Sequence, residues 1–101
     1  MTDKYSISVI VPAYNEEGNI VDTVAAIKAA AAGKFREYEI LIIDDASSDG
    51  TGSVADEISR EDPNVRVVHN SKNMGLGHNY RLGVSLATKN YIGFVPGDNE
   101  M

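Results

Sequence analysis

A chain of 101 residues with a formal net charge of −6 is long enough for one small domain with a real core and too short for two. Its acidic balance argues against nucleic acid as a partner, because such binding rests on Lys and Arg neutralising phosphates. It still allows a nucleotide whose phosphates meet a divalent cation or a few local basic groups. With no cysteine, disulfides, iron–sulfur clusters and thiolate zinc sites are excluded.

The first residues, Met1-Thr2-Asp3-Lys4, lack the basic and apolar regions of a signal peptide. No apolar run reaches the length of a membrane span. The expected location is therefore cytoplasmic, extending to the cytoplasmic membrane face only through parts C-terminal to this chain. Residues 7–11 read as a first buried strand, and Pro12, which cannot donate to a sheet ladder, is expected to close it. Asn15 or Asn19 is available to cap the helix that follows. Its apolar face is Ile20, Val24, Ile27 and Ala31, with Gly33 as a stop.

Ile40-Leu41-Ile42-Ile43 is a continuous apolar run, as expected of a central strand covered on both faces. A second helix runs from Thr51 to Glu61 and ends at Asp62-Pro63. Val65-Arg66-Val67-Val68 forms a third strand, Leu82 and Leu86 mark a third helix, and residues 91–95 a fourth strand. The order β-α-β-α-β-α-β favours a mainly parallel sheet in a three-layer α/β/α, Rossmann-like fold. The sequence stops at Pro96-Gly97-Asp98-Asn99-Glu100-Met101, directly after a strand that lacks a covering helix. That is expected of a fragment, or of one half of a larger unit.

In open α/β sheets ligands sit at the carboxyl edge of the strands, and the chemistry-bearing residues fall there. After the first strand come Pro12, Tyr14 and Glu16. The ring of Tyr14 is a stacking surface, and the Glu16 carboxylate is an acceptor for hydroxyl groups. The same residues also suit an ordinary strand-to-helix turn. After the second strand come Asp44 and Asp45, adjacent carboxylates that repel unless one meets a ligand, a cation or a donor. Ser48, Asp49 and Gly50 read as turn and cap chemistry, Asp44 as a brace and Asp45 as functional. A carboxylate here accepts from the ring N–H of uracil or guanine, a donor that adenine and cytosine lack at neutral pH.

After the third strand, Asn70 to His78 holds Lys72, Gly75 and Gly77. These glycines allow either close approach of backbone N–H groups to a ligand or simply room for a helix start. After the fourth strand, Asp98 and Glu100 offer oxygen ligands suited to Mg²⁺ or Mn²⁺.

Taken in order, Val11-Pro12-Ala13-Tyr14-Asn15-Glu16, the turn Asp44-Asp45-Ala46-Ser47, Gly75-Leu76-Gly77 and a strand ending in Asp98 resemble the nucleotide-binding half of the family 2 glycosyltransferases. The likeness is strongest to the branch acting on polyprenyl phosphates. The resemblance implies a GT-A fold and a nucleotide-diphosphate sugar as donor, with Mg²⁺ or Mn²⁺. It also implies an acceptor that is a polyprenyl phosphate or a growing glycan. By position it places Pro12, Tyr14 and Glu16 around the nucleoside and Asp45 on the base. Lys72, Gly75 and Gly77 would border the pocket, and Asp98 with Glu100 would hold the metal. In the family's Asp-x-Asp motif the first aspartate is here Pro96. The acceptor site and catalytic base of the family lie beyond that motif, so no catalytic base is assigned. The competing reading is a nucleotide-binding module without transferase activity. A receiver-like signalling domain is discarded, because the first strand ends in Pro12 and the third in Val68-His69-Asn70.

Overall fold

The computed structural model describes residues 5–97, and the metal-ligand candidates Asp98 and Glu100 lie outside that range. Seven elements alternate as expected: β1 (Ser6–Ala13), α1 (Ile20–Ala32), β2 (Glu37–Asp44), α2 (Thr51–Glu61), β3 (Val65–His69), α3 (Leu76–Leu86) and β4 (Tyr91–Phe94). The strands form one parallel sheet in the order β3-β2-β1-β4.

That order explains the layers. The chain steps outward from β1 to β2 to β3, then returns past β1 to β4. Right-handed crossovers therefore put the outward helices on one face and the returning helix on the other. On the α1/α2 face, Val9, Val11, Ile40 and Ile42 pack with Ile20, Val24, Ile27 and Ala55. On the α3 face, Ile10, Leu41 and Ile43 pack under Tyr80, Leu82 and Leu86. Successive residues of β1 and β2 thus serve opposite layers, which is why the apolar runs in both strands are continuous.

Pro12 does not close β1. The strand continues to Ala13, with Pro12 opposite Ile43 in the β2 ladder. The carbonyls of Ile10 and Pro12 accept from Val95 and Gly97 N–H groups on the β4 side. The donor that proline lacks faces that same side, where β4 has already ended at Phe94. The β2 side of the ladder loses nothing. Gly33 does stop α1, but with an ordinary right-handed backbone (φ −85°) rather than a left-handed cap. Among the described residues no helix is long and apolar enough to cross a membrane.

The sheet's amino end holds a polar cluster that hydropathy does not announce. Glu39 is 7% exposed, and its Oε2 accepts from Ser8 Oγ at 2.6 Å, Thr88 N at 2.9 Å and Thr88 Oγ1 at 2.9 Å. Its Oε1 meets Arg66 Nε at 3.2 Å. Burial alone would raise the Glu39 pKa, but the Ser8 and Thr88 hydrogen bonds and the Arg66 charge outweigh it and hold the carboxyl below its ordinary value.

Candidate functional site

In a sheet ordered 3-2-1-4 the direction of winding reverses at β1, and a crevice opens at the carboxyl ends of the strands near that point. A cavity of about 310 Å³ lies there, lined by Pro12, Ala13, Tyr14, Asp45, Asn73, Gly75, Leu76 and Asn79. Four sequence-derived candidates, Pro12, Tyr14, Asp45 and Gly75, are therefore brought together. Glu16, Lys72 and Gly77 do not line the cavity. The Glu16 Oε1 accepts from Asn19 Nδ2 at 3.1 Å, Lys72 is exposed, and Gly77 sits in the first turn of α3.

Local chemistry fixes each part. Tyr14 is 49% exposed and precedes Asn15, whose φ of +53° is in the left-handed region that Asn tolerates better than most residues. Asn15 does not cap α1. Instead its Oδ1 accepts from Ser48 N at 2.8 Å and Asp49 N at 3.3 Å, while its own N–H donates to Ser47 Oγ at 3.0 Å. Glu16 N donates to Thr51 Oγ1 at 2.8 Å, Glu17 N to Asp49 Oδ2 at 3.3 Å, and Gly50 N to Glu17 Oε1 at 2.9 Å. The β1–α1 and β2–α2 turns are thus stitched into one body. Asn19 occupies the α1 N-cap position without a side-chain cap. At α2, Asp49 Oδ1 accepts from Thr51 N at 2.9 Å.

The two aspartates have different surroundings. Asp44 is a brace: Oδ1 accepts from Ser47 N at 3.0 Å, and Oδ2 lies 2.8 Å from His69 Nδ1. His69 Nε2 lies 2.8 Å from Asp56 Oδ1. Two carboxylates facing one ring favour the doubly protonated imidazolium. The Asp44 and then the Asp56 hydrogen bonds raise the His69 pKa against the opposing effect of burial.

Asp45, 7% exposed, lines the cavity but also anchors the loop after β3. Its Oδ1 accepts from Asn70 Nδ2 at 2.9 Å and Met74 N at 2.8 Å, and its Oδ2 from Gly75 N at 3.2 Å. Asn73 Nδ2 donates to the Asp45 carbonyl. Burial would raise the Asp45 pKa, yet the bonds from Asn70, Met74, Gly75 and Asn79 prevail and lower it. Gly75 adopts φ +90°, a conformation that favours glycine, and its N–H turns to Asp45. Asn70, Asn73 and Asn79 are functional-site neighbours that sequence reasoning missed. Their only signal was an unusual density of asparagine around the Gly-rich turn.

Sheet order and cleft together define an open, doubly wound α/β protein with a cavity at the switch point. The chain belongs to glycosyl transferase family 2, whose profile matches residues 8–101. It is 41% identical over 76 residues to the polyprenol monophosphomannose synthase of Mycolicibacterium smegmatis, covering 74% of this chain and 27% of that protein. Among solved structures it resembles S. aureus TarS in complex with UDP-GlcNAc, with TM-score 0.77, 26% identity, and 92% of this chain and 26% of that one covered. It has the same fold as the Pyrobaculum calidifontis mannosyltransferase PcManGT in complex with GDP-Man and Mn²⁺, with TM-score 0.80, 23% identity and coverage of 95% and 28%. The chain spans between 26% and 30% of the length of the curated relatives it matches.

Proposed function

We propose that this chain binds the nucleotide of a UDP- or GDP-linked sugar and forms the donor side of a glycosyltransferase. The observation that carries the reading is the cavity at the switch point, which Tyr14 and Asp45 both line. A planar base stacks on an aromatic ring, and an ionised carboxylate accepts from the ring N–H that uracil and guanine share. Glu16, two residues beyond Tyr14, is proposed for a ribose hydroxyl. Lys72 and the Gly75–Gly77 turn are proposed to border the diphosphate. The acceptor, by likeness to the polyprenol monophosphomannose synthase, is proposed to be a polyprenyl phosphate or a growing glycan.

The donor set Asp98 and Glu100 consists of hard oxygens, which suit Mg²⁺ or Mn²⁺. A divalent ion held there would neutralise the diphosphate as it leaves. An ion with so few protein ligands needs substrate phosphates to complete its shell. Mn²⁺ alone is therefore expected to leave the melting temperature unchanged, and to add to the shift only when a nucleoside diphosphate is present. Asp98→Ala should remove that increment and leave nucleoside binding intact.

The direct test is a thermal-shift panel of UDP, GDP, ADP and CDP. Stabilisation by UDP or GDP above ADP and CDP supports the reading, and four equal responses overturn it. Tyr14→Ala is expected to weaken uridine or guanosine as much as the matching diphosphate, by about 1 kcal/mol for a lost stacking contact. Calorimetry with the nucleoside and the diphosphate checks this.

A further inference from the structure

An Asp45 carboxylate that reads a base must be held still, and beside the Met74 and Gly75 N–H groups the side chain bonded to it at 2.9 Å is that of Asn70. The Asn70 amide spends both its hydrogens: Nδ2 donates to Asp45 Oδ1 at 2.9 Å and to Asn79 Oδ1 at 2.8 Å. Asn79 is only 2% exposed and is carried on α3 against the floor of the same cavity. It has no freedom to follow a wandering partner. Asn70 is itself fixed at its backbone, where its N–H donates to the Asp44 carbonyl at 2.9 Å.

The consequence is an asymmetric carboxylate. Its Oδ1 carries two short bonds, from Asn70 and Met74, whereas Oδ2 carries one longer bond of 3.2 Å from Gly75, and the Asn79 side chain adds a weaker interaction with the same carboxylate. A carboxylate has about four acceptor positions, so acceptor capacity for a ligand is concentrated on Oδ2. Without Asn70 the carboxylate could rotate about its Cβ–Cγ bond and share its capacity differently.

We propose that Asn70, oriented by the buried Asn79 amide, is a positioning residue that aims the Asp45 carboxylate and thereby sets the preference for nucleobases with a ring N–H. The proposal rests on the nucleotide-binding reading given above. It differs from a purely structural role in one measurable respect. A brace that only supports the fold weakens every nucleotide alike, whereas a positioning residue weakens those whose ring N–H it helps to read.

The experiment measures dissociation constants of UDP, GDP, CDP and ADP for the 101-residue chain and three variants, with melting temperature recorded for each. In Asn70→Ala, the preference of the better of UDP and GDP over CDP is expected to fall about tenfold, the scale of one hydrogen bond to a charged group. Affinity for CDP and ADP should stay within about twofold of the parent chain, because those bases do not use the bond. Asn70→Ser keeps one donor for two acceptors, so it should give an intermediate preference, and it carries the test if the alanine variant fails to fold. Asn79→Leu removes the acceptor that orients Asn70 and should move the preference in the same direction. Equal weakening of all four nucleotides, or an unchanged preference in Asn70→Ala and Asn70→Ser, overturns the proposal. Asp45→Asn separates the two levels. If it abolishes the preference while the Asn70 variants retain it, the nucleotide reading stands and the positioning role is wrong. If it leaves the preference intact, the reading of Asp45 fails and the proposal with it.

Discussion

Replacing Gly83 by alanine is expected to destabilise the fold by roughly 1–2 kcal/mol, the net of an overpacked core and a gain in helix propensity. Gly83 is the residue of α3 that lies against β1. A Cβ built there would sit 2.5 Å from Ile10 Cγ2, 2.6 Å from Cδ1 and 2.7 Å from Cγ1. Ile10 is fully buried in a central strand, so its side chain has little space into which to yield. The helix must lift instead, carrying with it Leu76 and Asn79, which line the cavity. Gly83→Ala should therefore weaken UDP or GDP binding as well as stability. Ile10→Ala alone should cost about 2–5 kcal/mol through the void it leaves. In the double variant the new methyl group partly fills that void, so the two effects should sum to less than their total, with a coupling of about 1 kcal/mol or more. Urea unfolding of the four proteins checks this, and strict additivity would show that the contact is not what sets the cost.

Glu39→Ala is expected to lose about 3 kcal/mol, the scale for removing one partner from a buried, hydrogen-bonded charge cluster. Three donors from Ser8 and Thr88 lose their acceptor. The Ser8 hydroxyl also receives Lys89 N at 3.1 Å, so the cluster ties the α3–β4 connection to β1 and β2. The ion pair with Arg66, whose side chain is 45% exposed, adds little because water screens it. The pH dependence follows from the sign of the shift. The Glu39 pKa is lowered in the folded state, so its contribution is present above the ordinary carboxylate range and fades as pH falls through the folded value. Glu39→Gln should accordingly flatten the acid limb of the stability profile. His69 acts on the opposite limb. Its pKa is raised, so its contribution is full below about pH 6.5 and is lost as pH rises through the folded value. His69→Gln should remove the part of the stability that the parent chain loses as pH rises through that range.

What the sequence disclosed was governed by range. The apolar runs of β1 and β2 and the helical spacing in α1 announce themselves locally, since period and composition are properties of neighbouring residues. Tyr14 and Asp45 were legible because strand ends in an alternating β/α order converge on one edge. The rest depended on partners far away in the chain. Asn15 looked like a cap because its neighbours permit one, yet the N–H groups that its side-chain oxygen accepts from are those of Ser48 and Asp49 across the next loop. Pro12 looked like a terminator because its missing donor was visible and the side it faces was not. Glu39 drew no reading at all, because nothing nearby in sequence reveals that Ser8 and Thr88 converge on it.

The stitching of the β1–α1 turn to the β2–α2 turn has a consequence for how a ligand would be received. Hydrogen bonds between Asn15, Glu16 and Glu17 on one side and residues 47–51 on the other order both turns when the chain folds. The conformational entropy of that wall is lost once, at folding, and is not charged again to each binding event. The left-handed backbone at Asn15 (φ +53°) is held in place by the bonds that its own N–H and side chain make. A ligand arriving at Tyr14 meets a surface already in its final shape. The Gly75 loop is held differently, through the Asp45 carboxylate, which accepts from Met74 and Gly75 N–H, and through backbone carbonyls, with Asn73 donating to that of Asp45 and Asn70 N–H to that of Asp44. The cavity thus borders two turns stitched to each other and one loop anchored on Asp44 and Asp45.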